Sequence, residues 1–366
     1  MFKYKNNIEN VINRYLAFWN KERYDRIPIR IRFPVGNLQA NESYFEPQQK
    51  KVNALNKWEN IVFDKVKYFS YWEKQLSIRA DLNDDSFPTA PIDLGPALVG
   101  GIMGADITFG SGTSWGHYPL KSWEDIDKYF YDSQNKWLCF LIEMLEYFKI
   151  NSKGKFAIGL GNLMGPSDIL SFFRGPTNLC LDLYEYPNKV KEFGKKCVKA
   201  YIDTVECQLE HLPRYFNGTC ENHGIWMPGY SNGGLSNDFS SIISPDFYKN
   251  ILFELDQSIV NHFENCWMHV HASGTHMINE FLNLSNLKGI QIVNDYPSGP
   301  SLKDLVPVIK MIQKSLPLIL RKFSIEEIKV ILPEISPNGL FIDTQVYSYE
   351  EAKNLLCEWH IYSKSL

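Results

Sequence analysis

Short apolar, β-prone runs alternate along this chain with longer stretches of helical period, and that alternation constrains the fold more than any single motif. Candidate strands are Pro28–Phe33, Leu76–Leu82, Lys155–Gly161, Tyr215–Glu221, Cys266–His271, Gly289–Asn294, Pro317–Arg321 and Gly339–Thr344. The stretches between them carry helix-start signals. Pro187 occupies a first turn and is followed at helical spacing by Val190, Phe193, Cys197, Tyr201, Val205 and Leu209. Ser244-Pro245 reads as a cap and an N1 proline for a helix reaching His262, and Ser122 with Asp125 opens another expected to run to Phe148. Ser324 with Glu327, and Ser348 with Glu351, have capping-box spacing. Strand–helix alternation of this kind winds a parallel sheet. Eight candidate strands without a G-x-G-x-x-G after the first favour a single (β/α)8 barrel over residues 1–366 rather than an open dinucleotide-binding sheet. Residues 34–75 and 83–150 exceed a simple crossover and are expected to decorate the N-terminal part and the barrel mouth.

Composition narrows the function classes. Lys plus Arg number 38 against 42 Asp plus Glu, a net charge of −4, which leaves no basic footprint for nucleic acid. Seven cysteines, an odd number with no C-x-x-C, suit a reducing compartment. The first residues lack an apolar leader-like run, and no stretch approaches the roughly 18 apolar residues of a membrane span. The expectation is a cytoplasmic protein acting on a small molecule.

In a barrel of parallel strands the working residues gather at the C-terminal strand ends. Those ends supply Arg30 and Arg32, then Asp81, then Glu221 with His223. Later ones supply His269 and His271 followed by His276, then Asp295, Arg321, and Asp343 with Gln345. His269-Val270-His271 is the strongest feature, because residues two apart in a strand project to one side and offer two imidazoles to a metal. Asp343 or Asp295, each ending a later strand, could supply the third ligand; an N/O set suits zinc first, with iron or manganese also acceptable. Substrate binding without metal is the competing reading. Asp238, in a polar Gly-rich loop, is a candidate acid or base, as are Asp295 and His276. Arg30, Arg32 and Arg321 could hold a carboxylate bidentately, and Trp115 could wall a flat or methylated substrate. Asp81, Glu221, His223 and Gln345 complete the candidate substrate contacts.

Several segments, in order, resemble the uroporphyrinogen decarboxylase-like superfamily. They are Gly165-Pro166-Ser167-Asp168-Ile169-Leu170 through Arg174-Gly175, Leu181-Asp182-Leu183 with Pro187, and Asp238-Phe239-Ser240 with Ile243-Ser244-Pro245-Asp246-Phe247. His269 to His271 followed by Gly289-Ile290-Gln291 completes them. The superfamily includes uroporphyrinogen decarboxylases, corrinoid-dependent methyltransferases and cobalamin-independent methionine synthases. The resemblance implies one (β/α)8 domain with a cleft at its mouth and a homodimeric assembly. The decarboxylase motifs are missing: Arg30 and Arg32 stand where an Arg-x-x-x-Gly-Arg would, and no Gly-His-Gly precedes the C-terminus. The methyltransferases' His-x-Cys corresponds to His269-Val270-His271, and their last cysteine ligand falls near Asp343. The expectation is therefore a metal-assisted methyltransferase exchanging a methyl group between a small substrate and a corrinoid protein. A cofactor-independent decarboxylase of polycarboxylates and a non-catalytic binding barrel are the alternatives.

Overall fold

The computed structural model describes residues 2–34, 63–110 and 113–364. Its strands are β1 (Ile29–Arg32), β2 (Thr89–Pro91), β3 (Ile107–Gly110), β4 (Thr113–Gly116), β5 (Ala157–Gly159) and β6 (Gly218–Cys220), followed by β7 (Trp226–Pro228), β8 (Ser231–Ser236), β9 (Asn265–His271), β10 (Leu287–Val293), β11 (Leu318–Arg321) and β12 (Leu340–Gln345). Six of them form one sheet in the order β1-β12-β11-β10-β9-β8, with every pairing parallel. Parallel neighbours need crossovers, and helices such as Val306–Ser315 and Ile325–Ile331 provide them.

Register turns the period of two into two distinct faces. Ile29, Ile342, Leu320, Ile292 and Val270 align across β1, β12, β11, β10 and β9 and are all buried in the helix-packed hydrophobic core. One residue on, Arg30, Asp343, Arg321, Val293 and His271 align across the same strands. The apolar set needs helices over it, so the polar set must project to the other side, where the cavity lies.

Beyond β1 the wall continues differently. Ile29 N–H donates to the Asp85 carboxylate at 2.8 Å and Ile31 N–H to that of Asp84 at 3.0 Å, so side-chain oxygens stand where a neighbouring strand's carbonyls would. β2 then pairs with β5 in parallel, and a single bridge joins Leu160 to Glu221 just past β6. Among the described residues these short pairings form no continuous closed ladder. The expected closed eight-stranded barrel is thus corrected to an α/β fold with a six-stranded parallel sheet and a chain of smaller pairings.

All but one of the expected strands are present. Leu76–Leu82 is not: Leu76 belongs to the helix Lys65–Ile78, and Asp81 lies in the exposed turn after it. The helix expected from Ser122 to Phe148 is two elements, a 3-10 turn Trp123–Lys128 and a helix Lys136–Ser152. The expected decoration 83–150 contains β2 itself and the β3–β4 hairpin, whereas residues 35–62 of the segment 34–75 lie outside the described residues. Helices Pro187–His211 and Ile325–Ile331 start as expected, the latter with both halves of its capping box. The segment from Pro245 to His262 is helical throughout, with a π turn at Tyr248–Leu252. No helix among the described residues is long and apolar enough to cross a membrane.

Candidate functional site

A cavity of about 890 Å3 opens on the polar face of the sheet. His269, His271 and Arg321 line it from β9 and β11, Asp238 and Phe239 from the turn after β8, and Trp115 from β4. Glu221, Asn222 and His223 line it from the turn between β6 and β7, two strands paired antiparallel.

The two histidines and one aspartate converge. Ligand atoms of Asp238, His269 and His271 all lie within 4.8 Å of one another. His269 Nδ1 lies 2.6 Å from Gln291 Oε1, so with that oxygen as acceptor Nδ1 holds the proton and Nε2 keeps its lone pair. Burial, reinforced by the nearby charges of Arg321 and His271, pulls His269 down to about 4, which leaves it neutral near pH 7. His271 Nε2 is 3.7 Å from Asp238 Oδ1, and its Nδ1 is 3.6 Å from Asp295 Oδ2. Asp295 in turn accepts from the Ser273 hydroxyl at 2.7 Å.

Asp238 is half-exposed, but its backbone is fixed. The buried Asp168 carboxylate accepts from the N–H groups of Asp238 and Phe239, at 3.1 and 2.8 Å, and from the Ser236 hydroxyl. Burial, with the Asp238 charge beside it, pushes Asp168 up to about 7. Behind the turn, Asn237 binds Ser167 and Asp256, and Tyr248 donates to Asp256. Each partner of this loop comes from a helix that packs under it.

On the β6–β7 turn, the Glu221 carboxylate accepts from the N–H groups of His223 and Ile225 at 2.9 and 3.0 Å and lies 2.6 Å from His223 Nδ1. Burial raises Glu221 to about 7, partly offset by those N–H groups, and burial holds His223 well below its usual value. The His223 and His269 rings are nearly parallel, with centroids 6.0 Å apart.

The other end of the cavity is cationic. Asp343, 0% exposed, takes contacts from Arg32 Nε at 2.9 Å, Arg30 Nη1 at 3.4 Å and Arg321 Nε at 3.5 Å. Burial alone would raise Asp343, but the three guanidinium groups outweigh it and hold it below the usual carboxylate range. Lys322, at φ 63°, follows β11 and also lines the cavity; burial and Arg321 pull it down to about 8.

Of the residues singled out from sequence, Asp238, His269, His271, Glu221, His223, Arg321 and Trp115 share the cavity. Asp343 does not line it: its oxygens are spent on arginines, and Asp238 stands with the histidines in its place. Arg30 and Arg32 sit around Asp343, behind the lining residues, and Asp295 supports His271 from outside the lining. His276 is exposed, with Nε2 3.0 Å from the Ile243 carbonyl, while Gln345 is an exposed residue at the end of β12 and Asp81 an exposed turn residue; none of the three lines the cavity. Sequence reasoning passed over Lys322, Asn162 and Gln208, which do line it. Lys322 was findable, since it follows the strand-ending Arg321. The contact of Asp168 with the Asp238 turn spans 70 residues and leaves no trace in local spacing.

No family profile matches the chain, and no curated protein does. Among solved structures, a methyltransferase from Methanosarcina mazei is similar with a TM-score of 0.63 and 13% identity, over 99% of each chain. That likeness is one of fold.

Proposed function

We propose that this protein is a methyltransferase of barrel-like α/β architecture that moves a methyl group between a small substrate and the corrinoid of a partner protein. The observation that carries the reading is the convergence of Asp238, His269 and His271 on the cavity. Their donors fit a divalent ion: two imidazole nitrogens and one carboxylate, with Gln291 fixing the His269 tautomer as outer partners of metal-ligating histidines do. The set suits zinc, iron or manganese. Such an ion supplies Lewis acidity, polarising an oxygen or nitrogen of the bound molecule.

The rest follows from the chain's own residues. Asp168 fixes the turn that presents Asp238, and Asp295 stands 3.6 Å from His271 Nδ1, on the far side of the ring from Asp238. Phe172, Phe239 and Trp267 form apolar lining that excludes water from the buried side of the cavity. Trp115, 39% exposed, and the exposed Tyr118 and Ile242 line its open side, where a corrinoid would have to approach. The full-length fold likeness to a methyltransferase supports the same reading.

Elemental analysis for zinc, iron and manganese before and after mild chelation is the first test, followed by transfer of the methyl group of methylcobalamin to small nucleophilic acceptors (thiols, amines, alcohols), which leaves cob(I)alamin and is monitored by absorbance. Close to one metal per chain, lost together with activity in His271→Ala, is the expected result. A folded wild-type protein that takes up no metal would overturn the metal-assisted mechanism.

A further inference from the structure

Arg321 and Lys322 are neighbours in sequence, and both line the cavity. A continuing strand does not allow this, because successive side chains point to opposite faces. Arg321 ends β11 on the cavity face, so an extended residue after it would turn away. The left-handed backbone of Lys322, φ 63°, breaks the alternation and brings its side chain round to the same side. Two hydrogen bonds hold that conformation. The Lys322 N–H donates to the Asp343 carbonyl at 2.7 Å, and the Asn294 side-chain amide donates to the Lys322 carbonyl at 3.3 Å. Glycine adopts such a backbone freely, whereas lysine is strained in it, so the turn alone does not account for the side chain. Strained residues of this kind cluster at reactive sites.

The setting favours the amine over the ammonium. Lys322 is half-buried, with Arg321 before it on β11 and Arg32 on β1 adding positive charge nearby. The neighbouring carboxylate, Asp343 on β12, is itself in contact with three guanidinium groups. Burial and the cations outweigh Asp343 and pull Lys322 down to about 8. Free amine at pH 7 is then on the order of 100-fold more abundant than for an ordinary lysine. A lysine that is desolvated and set beside another cation is an activated nitrogen nucleophile.

We propose that Lys322 is the nucleophile of a second chemistry in this cavity, capturing the carbonyl carbon of a small aldehyde or ketone as an imine. The proposal goes beyond methyl transfer and needs no metal. The amine nitrogen adds to the carbonyl carbon, a proton passes from nitrogen to the new alkoxide oxygen, and loss of water from the carbinolamine leaves the C=N bond. Lys322 is the one lysine among the described lining residues, so a carbonyl compound entering there meets a single primary amine from them.

The test is reductive trapping. Chelated full-length protein is treated with limiting propanal and sodium cyanoborohydride, which delivers hydride to the imine carbon and leaves a propyl amine, and the modified lysines are mapped by peptide mass spectrometry. At pH 7, Lys322 is expected to react about 10-fold faster, or more, than the exposed Lys153 and Lys195. Its rate is expected to level off above about pH 8, while theirs keep rising. In Lys322→Arg the fast adduct should vanish and the slow labelling should remain. A Lys322 rate no greater than those of Lys153 and Lys195, or one that rises with theirs to high pH, overturns the proposal. Fast labelling that persists in Lys322→Arg belongs to another amine and overturns it as well. If that variant fails to fold, the two wild-type comparisons decide by themselves. Because the protein is chelated throughout, the result is independent of the metal reading, which metal content tests alone.

Discussion

Two buried charge clusters flank the same short strand, and they are built on opposite principles. On one side of β1, Asp85 is gripped by Arg26 at 2.5 and 3.0 Å and by Arg14 at 2.9 Å, while Asp84 is held by Lys5 at 3.1 Å, Arg79 at 2.8 Å and the Ser86 hydroxyl. Asp25 completes the set by taking Arg14 in a bidentate pair. Four cations there face three carboxylates, and the aspartates also take β1 N–H groups. On the other side, three arginines crowd Asp343 and one of them looks into the cavity without a hydrogen bond. The first cluster ties its aspartates to β1 and to buried cations, as scaffold; the second borders the cavity and turns Arg321 into it. The same residue types serve both, so their place relative to the cavity, not their presence, separates them.

The contrast breaks or sharpens under mutation. Asp85→Ala leaves two buried guanidinium groups without their carboxylate and should cost about 3–5 kcal/mol in chemical denaturation. It should leave metal affinity per folded molecule unchanged; a loss of metal in the folded fraction would erase the distinction between scaffold and site. Asp84 adds a pH signature, because its cations hold it well below the usual carboxylate range. Its contribution is present above the unfolded value near 4 and is lost as pH falls further.

On the cavity side the expected losses are in ligand rather than fold. Gln291→Met removes the acceptor that orients His269 while keeping volume, and should weaken metal binding about 10–100-fold by competition with a chelating dye. Unchanged affinity would mean that His269 needs no orienting partner. Glu221→Gln tests the inserted turn. A carboxyl raised to about 7 binds its proton more tightly in the folded state, so wild type loses stability from this group as pH rises from about 4.5 to 7. The variant lacks that loss, and its stability relative to wild type should climb across the window, by roughly 1 kcal/mol or more. A flat difference would show that Glu221 is ionised throughout. Trp115→Ala, at the rim, should change unfolding stability by no more than about 0.5 kcal/mol.

Much of the sheet was legible because buried parallel strands are written as dense apolar runs, as in Gly289-Ile290-Gln291-Ile292-Val293. β8 was not: Ser231-Asn232-Gly233-Gly234-Leu235-Ser236 lacks β-branched residues and reads as a loop. The structure supplies the reason for its glycine. A Cβ on Gly234 would sit 2.4 Å from the Trp267 ring, so the neighbouring strand's tryptophan dictates the residue. β2 was hidden by brevity, three residues ending in proline, while Leu76 carried its apolar signal into a helix instead. The histidine pair was visible as a period of two, whereas Asp238 was visible only as a candidate acid or base and not as the pair's carboxylate partner. Asp343 occupies a strand end as a ligand should, and only the three-dimensional approach of Arg30, Arg32 and Arg321 shows that it is committed elsewhere.

The β6–β7 turn carries one more consequence. Glu221, Asn222 and His223 line the cavity from a hairpin whose own Trp226 packs against Tyr15 and Phe87. The reach of the chamber on that side is therefore set by a turn and not by a strand of the six-stranded sheet. Insertions or deletions at the tip of this turn would resize the chamber for longer or shorter molecules while leaving Arg321 and His271 where they are. In a redesign, the hairpin is the dial for substrate length and the sheet is the fixed ruler.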